Sequence, residues 1–194
     1  MEYGLSGLSM AMRILNQNQE LARHSFNVAR TCKAVTALLS ENFLSMPENN
    51  ICLAALYHDI GKSYWDQEWF YKAKKDLTKE ELKQMGKHAI AGANLLKKLV
   101  PGIPKDILRL IKEHHERPNG KGYPEKLKVV SNETLLLASC DVFCACTETR
   151  GYRNGILTKK EALGIVADFA PEEIIEALLR LEEGCHEDKK GVNF

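Results

Sequence analysis

Apolar residues recur along this chain at helical spacing, three and four positions apart, and nowhere at the every-second-residue spacing of a half-buried strand. The pattern predicts a short amphipathic helix over Leu5 to Leu15. A longer one runs from Gln19 to about Phe43, with Leu21, Phe26, Val28, Val35, Leu38 and Leu39 as its inner face. Pro47-Glu48-Asn49-Asn50 breaks the chain, and the run Ile51, Leu53, Ala54, Ala55, Leu56 reads as a buried helix that Gly61 stops. Thr78-Lys79-Glu80-Glu81 is a capping box opening a helix to about Val100, with His88 in its middle, and Pro101-Gly102-Ile103-Pro104 ends it. Further helices are predicted over Lys105 to about His115, Asn132 to Thr147 behind a Ser131 cap, Lys159 to about Phe169 behind a second capping box, and Glu172 to Glu182.

Two stretches depart from this period. Ser63 to Leu77 carries Tyr64, Trp65, Trp69, Phe70 and Tyr71 among charged residues and reads as a long loop or short helix. Its aromatics suit either sealing the core or stacking on a base, and sealing is the favoured reading. Pro118-Asn119-Gly120-Lys121-Gly122-Tyr123-Pro124 cannot be helical, and its glycines permit positive φ and close backbone approach, so it is a shaped loop. The expected fold is an all-α, single-domain helical bundle of seven to nine helices. It comprises a short N-terminal helical segment over 1–18, a main domain over 19–183 and a polar tail over 184–194.

Composition narrows the function without naming it. The length of 194 residues suffices for one well-buried core. A net charge of +1 gives no electrostatic case for binding long nucleic acid, so an anionic ligand must be held locally. The apolar runs are too short to span a membrane and the N-terminus lacks a signal-peptide pattern, which points to a cytoplasmic protein. Cys32, Cys52, Cys140, Cys144, Cys146 and Cys185 show no paired metal-site spacing and read as reduced packing residues, most of them in or beside apolar helical stretches.

The chemistry lies in the histidines. His58-Asp59 closes the buried helix, and an imidazole beside a carboxylate can hold one cation or help bridge two, although alone the pair also reads as an ordinary helix terminus. Lys62 follows a turn later and suits a phosphate oxygen. Glu20 and His24 share a helix face one turn apart; alone, they also read as a surface ion pair. His114 and His115 end one helix, and Asp141 sits among apolar neighbours where an unpartnered carboxylate would be costly. His24, His58, His88, His114 and His115 with two or three carboxylates exceed the needs of one metal, and the absence of thiolate favours iron or manganese over structural zinc. Two such ions are a standard device for in-line attack on a phosphodiester.

The order His24, His58-Asp59-Ile60-Gly61-Lys62, His88, His114-His115-Glu116, Gly122-Tyr123-Pro124, Asp141 resembles the HD-GYP family of cyclic di-GMP phosphodiesterases, within the HD phosphohydrolase superfamily, from about Glu20 to Leu181. The resemblance implies that His24, His58, Asp59 and Asp141 hold a first metal, that His88, His114 and His115 hold a second, and that Asp59 bridges them. Some members of the family carry a Glu one turn before the first His and bind a third metal; Glu20 holds that position, so the resemblance implies two or three divalent ions, with three favoured. By the same resemblance Lys62 lies near the substrate phosphate, and Arg150 and Arg153 correspond to the basic residues of a substrate-binding R-P-Y-[RK] segment. Gly120, Gly122, Tyr123 and Pro124 would shape the pocket or contact a partner such as a cyclic di-GMP synthase domain.

The chain departs from the family in three places. The aromatic run Tyr64 to Tyr71 replaces an I-P-D to K-P-G stretch. Arg117-Pro118-Asn119-Gly120 stands where R-W-D-G is common, and the segment after Pro124 lacks the usual Gly and Ile-Pro. No implied ligand is lost, but the pocket walls change. The implied activity is hydrolysis of cyclic di-GMP to linear pGpG, with GMP as a further product, through a metal-activated hydroxide. The alternatives are another cyclic dinucleotide or nucleotide as substrate, and a nucleotide- or partner-binding signalling module with little turnover.

Overall fold

The computed structural model describes residues 4–70, 72, 74–149 and 155–187. Among these it has nine α-helices and no strand: α1 (Leu5–Leu15), α2 (Gln19–Thr36), α3 (Glu48–Tyr57), α4 (Lys79–Met85), α5 (His88–Leu99), α6 (Lys105–Glu113), α7 (Asn132–Thr147), α8 (Lys159–Ala167) and α9 (Glu172–Glu187). The caps act where the sequence places them. The Asn18, Thr78, Ser131 and Thr158 side chains each accept a backbone N–H of the following first turn, and Thr78 and Thr158 form complete capping boxes with Glu81 and Glu161.

Three features differ from the expected layout. Helix α2 stops at Thr36, where its last bonds tighten to Leu38 N–H on the Val35 carbonyl and Leu39 N–H on the Thr36 carbonyl, and Asn42 then turns the chain with a φ of 71°. Phe26 and Leu38, read as inward, are 47% and 37% exposed, because the buried stripe runs through Leu21, Ser25, Val28, Cys32 and Val35. The single helix expected over 79–100 is two. Helix α4 buries none of its residues while α5 buries His88, Ala89, Gly92, Ala93 and Leu96, so the chain turns at Gly86-Lys87 and His88 opens α5. The stretch after Asp59 is a series of short 3-10 turns over Ile60–Tyr64, Gln67–Phe70 and Lys74–Asp76.

The core lies where α2 and α6 pack on α3, α7 packs on α2 and α8, and α5 packs on α6. Val28, Cys32, Ile51, Ala54, Ile107, Leu110, Ile111, Leu136, Leu137 and Cys140 fill it with no solvent exposure. Helix α1 adds Ala11 and Leu15 to the same core, and the Tyr57 hydroxyl donates to the Leu8 carbonyl at 3.2 Å. Cys32, Cys140, Cys144 and Cys146 are buried free thiols, as packing residues would be. No described helix is long and apolar enough to cross a membrane.

Candidate metal centre

Five elements aim side chains at one point in this core. Helix α2 brings His24 from its middle, the end of α3 brings His58 and Asp59, the first residue of α5 is His88, the end of α6 supplies His114 and His115, and α7 supplies Asp141. All but His115 are less than a tenth exposed. A backbone close approach permits this convergence. Any Cβ on Gly61 would run into the His88 carbonyl and the Gly92 amide, so glycine there lets the turn after Asp59 lie directly on α5.

Asp59 stands between two sets of imidazoles. Its Oδ1 lies 3.2 Å from His88 Nε2 and 3.7 Å from His114 Nε2, while its Oδ2 lies 3.3 Å from His58 Nε2 and 4.0 Å from His24 Nε2. Asp141 Oδ1 reaches His24 Nε2 at 3.0 Å and His58 Nε2 at 3.6 Å. Possible ligand atoms within 4.8 Å of one another group Asp59 with His88, His114 and His115, His24 with His58 and Asp59, and His58 with His114 and Asp141.

The tautomers fit a cation. Nδ1 of His58, His88 and His114 donates to the carbonyl three residues earlier, on Ala55 at 2.7 Å, Met85 at 2.6 Å and Ile111 at 2.7 Å. That bond turns the lone pair of each neutral ring, on Nε2, into the site. His88 and His114 thereby face each other Nε2 to Nε2 at 3.3 Å, an arrangement of two acceptors that a positive ion relieves. His58 Nε2 and Asp59 Oδ1 are fully buried and have no hydrogen-bond partner among the described residues, a costly condition that coordination would remove. The donor set of imidazoles and carboxylates suits a divalent first-row metal.

Electrostatics point the same way. Burial alone would push the Asp59 carboxyl up, but the Lys62 ammonium and His58 outweigh it and hold the group well below the usual carboxylate range. Asp141 is likewise held down against burial, by its hydrogen-bond contact with His24 and by the nearby His58 ring. Burial would push His58 down, yet Asp59 and Asp141 lift it to about 10, so the carboxylates favour positive charge at its Nε2, whether a proton carries it or a metal ion that takes the proton's place on the neutral ring. His114 is driven down to about 3, and His115 well below its ordinary value, by burial and by the neighbouring imidazoles; both stay neutral, as ligands must.

The site opens into a cavity of about 730 Å³. Arg23, Lys62, Lys72, Lys83 and Lys87 place positive charge around it, and Trp65, Trp69, Phe70, Tyr123 and Pro124 supply apolar wall. Lys62 Nζ pairs with Asp59 Oδ2 and stands 5.3 Å over the Trp65 ring. The aromatic run thus serves more than the core: Trp65, Trp69 and Phe70 are all half-buried and line the cavity, and Phe70 also packs against the core. Tyr123 stacks on His115 with ring centres 4.6 Å apart, and its N–H donates to the His115 carbonyl at 3.3 Å. Gly122 allows this, since a Cβ there would meet the Arg117 and Glu116 backbone. Gly120, with a φ of 71°, lies outside the cavity lining and donates its N–H to the Leu127 carbonyl at 3.0 Å.

Glu20 lines the cavity one turn from His24 but shares in none of the grouped ligand atoms. Arg150 and Arg153 lie outside the described residues. Two acidic residues had no role in the reading of the sequence. Glu148 holds the outer face of the site: its Oε2 lies 3.0 Å from His24 Nδ1, and its Oε1 accepts from Asn27 Nδ2 at 2.7 Å. Glu116, fully buried, accepts the N–H groups of Glu125, Lys126 and Leu127 at 2.6, 3.1 and 3.0 Å and so anchors the loop that carries Tyr123. A buried acid directly after paired histidines was the available signal for Glu116; nothing local marks Glu148.

Residues 9–174 match the HD-domain family, and the chain belongs to it. Its sequence relatives are phosphodiesterases of cyclic dinucleotides. It is 30% identical over 165 residues to the 3'3'-cGAMP-specific phosphodiesterase 1 of Vibrio cholerae, covering 82% of this chain and 37% of that protein. It is 31% identical over 150 residues to a cyclic di-GMP phosphodiesterase of Thermotoga maritima, covering 75% and 39%. The chain therefore spans less than half the length of these relatives. In three dimensions it is similar to the HDG"Y"P protein Bd1817 of Bdellovibrio bacteriovorus, with a TM-score of 0.62 at 22% identity over 84% of this chain and 52% of that one. The HD domain of the L. monocytogenes phosphodiesterase PgpH in complex with cyclic-di-AMP gives a TM-score of 0.65 at 15% identity over 91% and 96%. The HD-GYP resemblance seen in the sequence and the all-helical HD fold both stand.

Proposed function

We propose that this chain is a metal-dependent phosphodiesterase that opens cyclic di-GMP to linear pGpG. The observation that carries the reading is Asp59, whose two oxygens face two different histidine sets on the floor of a cationic cavity. In this reading His24, His58, Asp59 and Asp141 hold one divalent ion and His88, His114 and His115 a second, with Asp59 shared. Iron or manganese suits these nitrogen and oxygen donors. Ions bound there supply Lewis acidity toward a phosphoryl oxygen and water of lowered pKa as nucleophile.

The chain's own residues do the rest. The three backbone-held imidazoles keep their lone pairs inward, so the donors are arranged before substrate enters. Lys62 holds Asp59 in register and presents its ammonium at the cavity floor, where it offsets charge developing on the phosphoryl group. Tyr123, stacked on His115, fixes that ring and forms the wall beside it. Glu20 stands outside the clustered donors, so the reading is a dinuclear centre.

A second substrate has a specific observation in its favour. Two relatives from Vibrio cholerae, 30% and 32% identical, are named as 3'3'-cGAMP-specific. Turnover of cyclic di-GMP, 3'3'-cGAMP and cyclic di-AMP by anaerobically prepared, iron- or manganese-loaded protein separates the cases. The proposal predicts kcat/KM at least about tenfold higher for cyclic di-GMP, corresponding to roughly 1.4 kcal/mol of transition-state discrimination. A higher value for 3'3'-cGAMP would move the assignment to that substrate.

A further inference from the structure

Resting on the phosphodiesterase reading, we propose that Trp65 and Trp69 form the subsite on which a nucleobase of the substrate stacks, so that the aromatic stretch after Lys62 holds the dinucleotide by face contact with its base. Three observations converge. The two indoles adjoin each other, with centres 6.2 Å apart and planes at 55°, and both line the cavity while remaining only half-buried. Trp65 packs against Phe70, with ring centres 5.5 Å apart and planes at 46°, and sits edge-on to the ring of His88 at 5.6 Å. A base lying on this wall is therefore within one nucleotide's reach of the atoms around Asp59. Lys62, 5.3 Å over the Trp65 ring and paired with Asp59, joins the wall to the phosphate end of the cavity.

The chemistry suits the geometry. A wall that served only to close the core would bury its indoles, and these keep surface toward a cavity ringed by lysines. Apolar faces among cations are the combination that holds bases and phosphates of one ligand together, and stacking on an aromatic face tolerates any purine. The subsite thus predicts tight binding of cyclic purine dinucleotides, with the choice among them made by groups elsewhere in the cavity.

Trp65 and Trp69 are the only two tryptophans of the chain, so intrinsic indole fluorescence reports on this wall alone. In metal-loaded protein, cyclic di-GMP and GMP should quench that emission saturably, whereas ribose 5-phosphate, which has no base, should not. In steady-state kinetics Trp69→Ala should raise KM for cyclic di-GMP about tenfold with kcat within about threefold. Trp69→Phe should restore KM to within about threefold of the wild type. Metal content measured in each variant separates loss of stacking from disturbance of His88. Quenching by ribose 5-phosphate equal to that by GMP, or an unchanged KM in Trp69→Ala, would overturn the subsite even if cyclic di-GMP is hydrolysed. Base-dependent quenching in a protein that hydrolyses no cyclic dinucleotide would leave the subsite standing and remove the phosphodiesterase reading instead.

Discussion

Asp59 can serve two ions because its oxygens diverge toward different imidazoles, and no other carboxylate of the cluster does so. Asp141 reaches His24 and His58 through the same oxygen, Oδ1. Asp59→Ala should therefore lower metal content to below one ion per chain and activity by at least about 1,000-fold. Full metal content in the variant would refute the bridging role. Glu148 acts through another residue. A carboxylate on the Nδ1 of His24 fixes the orientation of the ring, so Glu148→Gln should weaken metal affinity about 10- to 100-fold in a competition titration with a chelator, without loss of fold. Unchanged affinity would leave Glu148 as a surface tie to Asn27. The residues that cluster here were legible in the sequence because histidines that close or open helices, and an aspartate among apolar neighbours, need a physical reason to be there. Glu148 was not legible: it meets His24 across 124 residues, and only the packing of α2 on α7 brings them together.

At the scale of elements, the position of each ligand depends on how closely its helix can approach the others. The turn after Asp59 lies on α5 through Gly61 and Gly92, and the obstruction to any larger residue is backbone, which cannot move aside as a side chain would. Gly61→Ala should cost about 1–3 kcal/mol in chemical denaturation and also lower metal occupancy, since Asp59 and His88 separate together. Wild-type stability with lowered occupancy would show that the strain is local to the site. Element existence was read correctly from apolar period and caps, and breaks were read less well. The capping box at Thr78 marked where α4 begins, but Gly86-Lys87 carries no stop signal strong enough to reveal that α5 is a separate helix; only the contrast between an unburied α4 and a buried α5 makes the turn necessary. The aromatic stretch had no period to read, since 3-10 turns present side chains at irregular angles, and its favoured role as a core seal gave way to a cavity wall.

For the molecule as a whole, the nine helices among the described residues enclose a core in which a polar cluster is buried, and that cluster is costly unless it is coordinated. A near-neutral chain also lines the cavity with five cations against the three carboxylates Glu20, Asp59 and Glu148, a local excess of positive charge suited to an anionic ligand without a basic surface. Both features support the proposal that a metal centre is the working part of the fold. The most direct test is to add iron or manganese stepwise to metal-free protein under anaerobic conditions, and to follow ions bound per chain together with hydrolysis of cyclic di-GMP. The account predicts no turnover without metal, activity rising to its full value at two ions per chain, and the same two ions in Glu20→Ala. Full activity in metal-free protein or at a single ion would contradict it, and three ions falling to two in Glu20→Ala would replace the dinuclear centre with a trinuclear one.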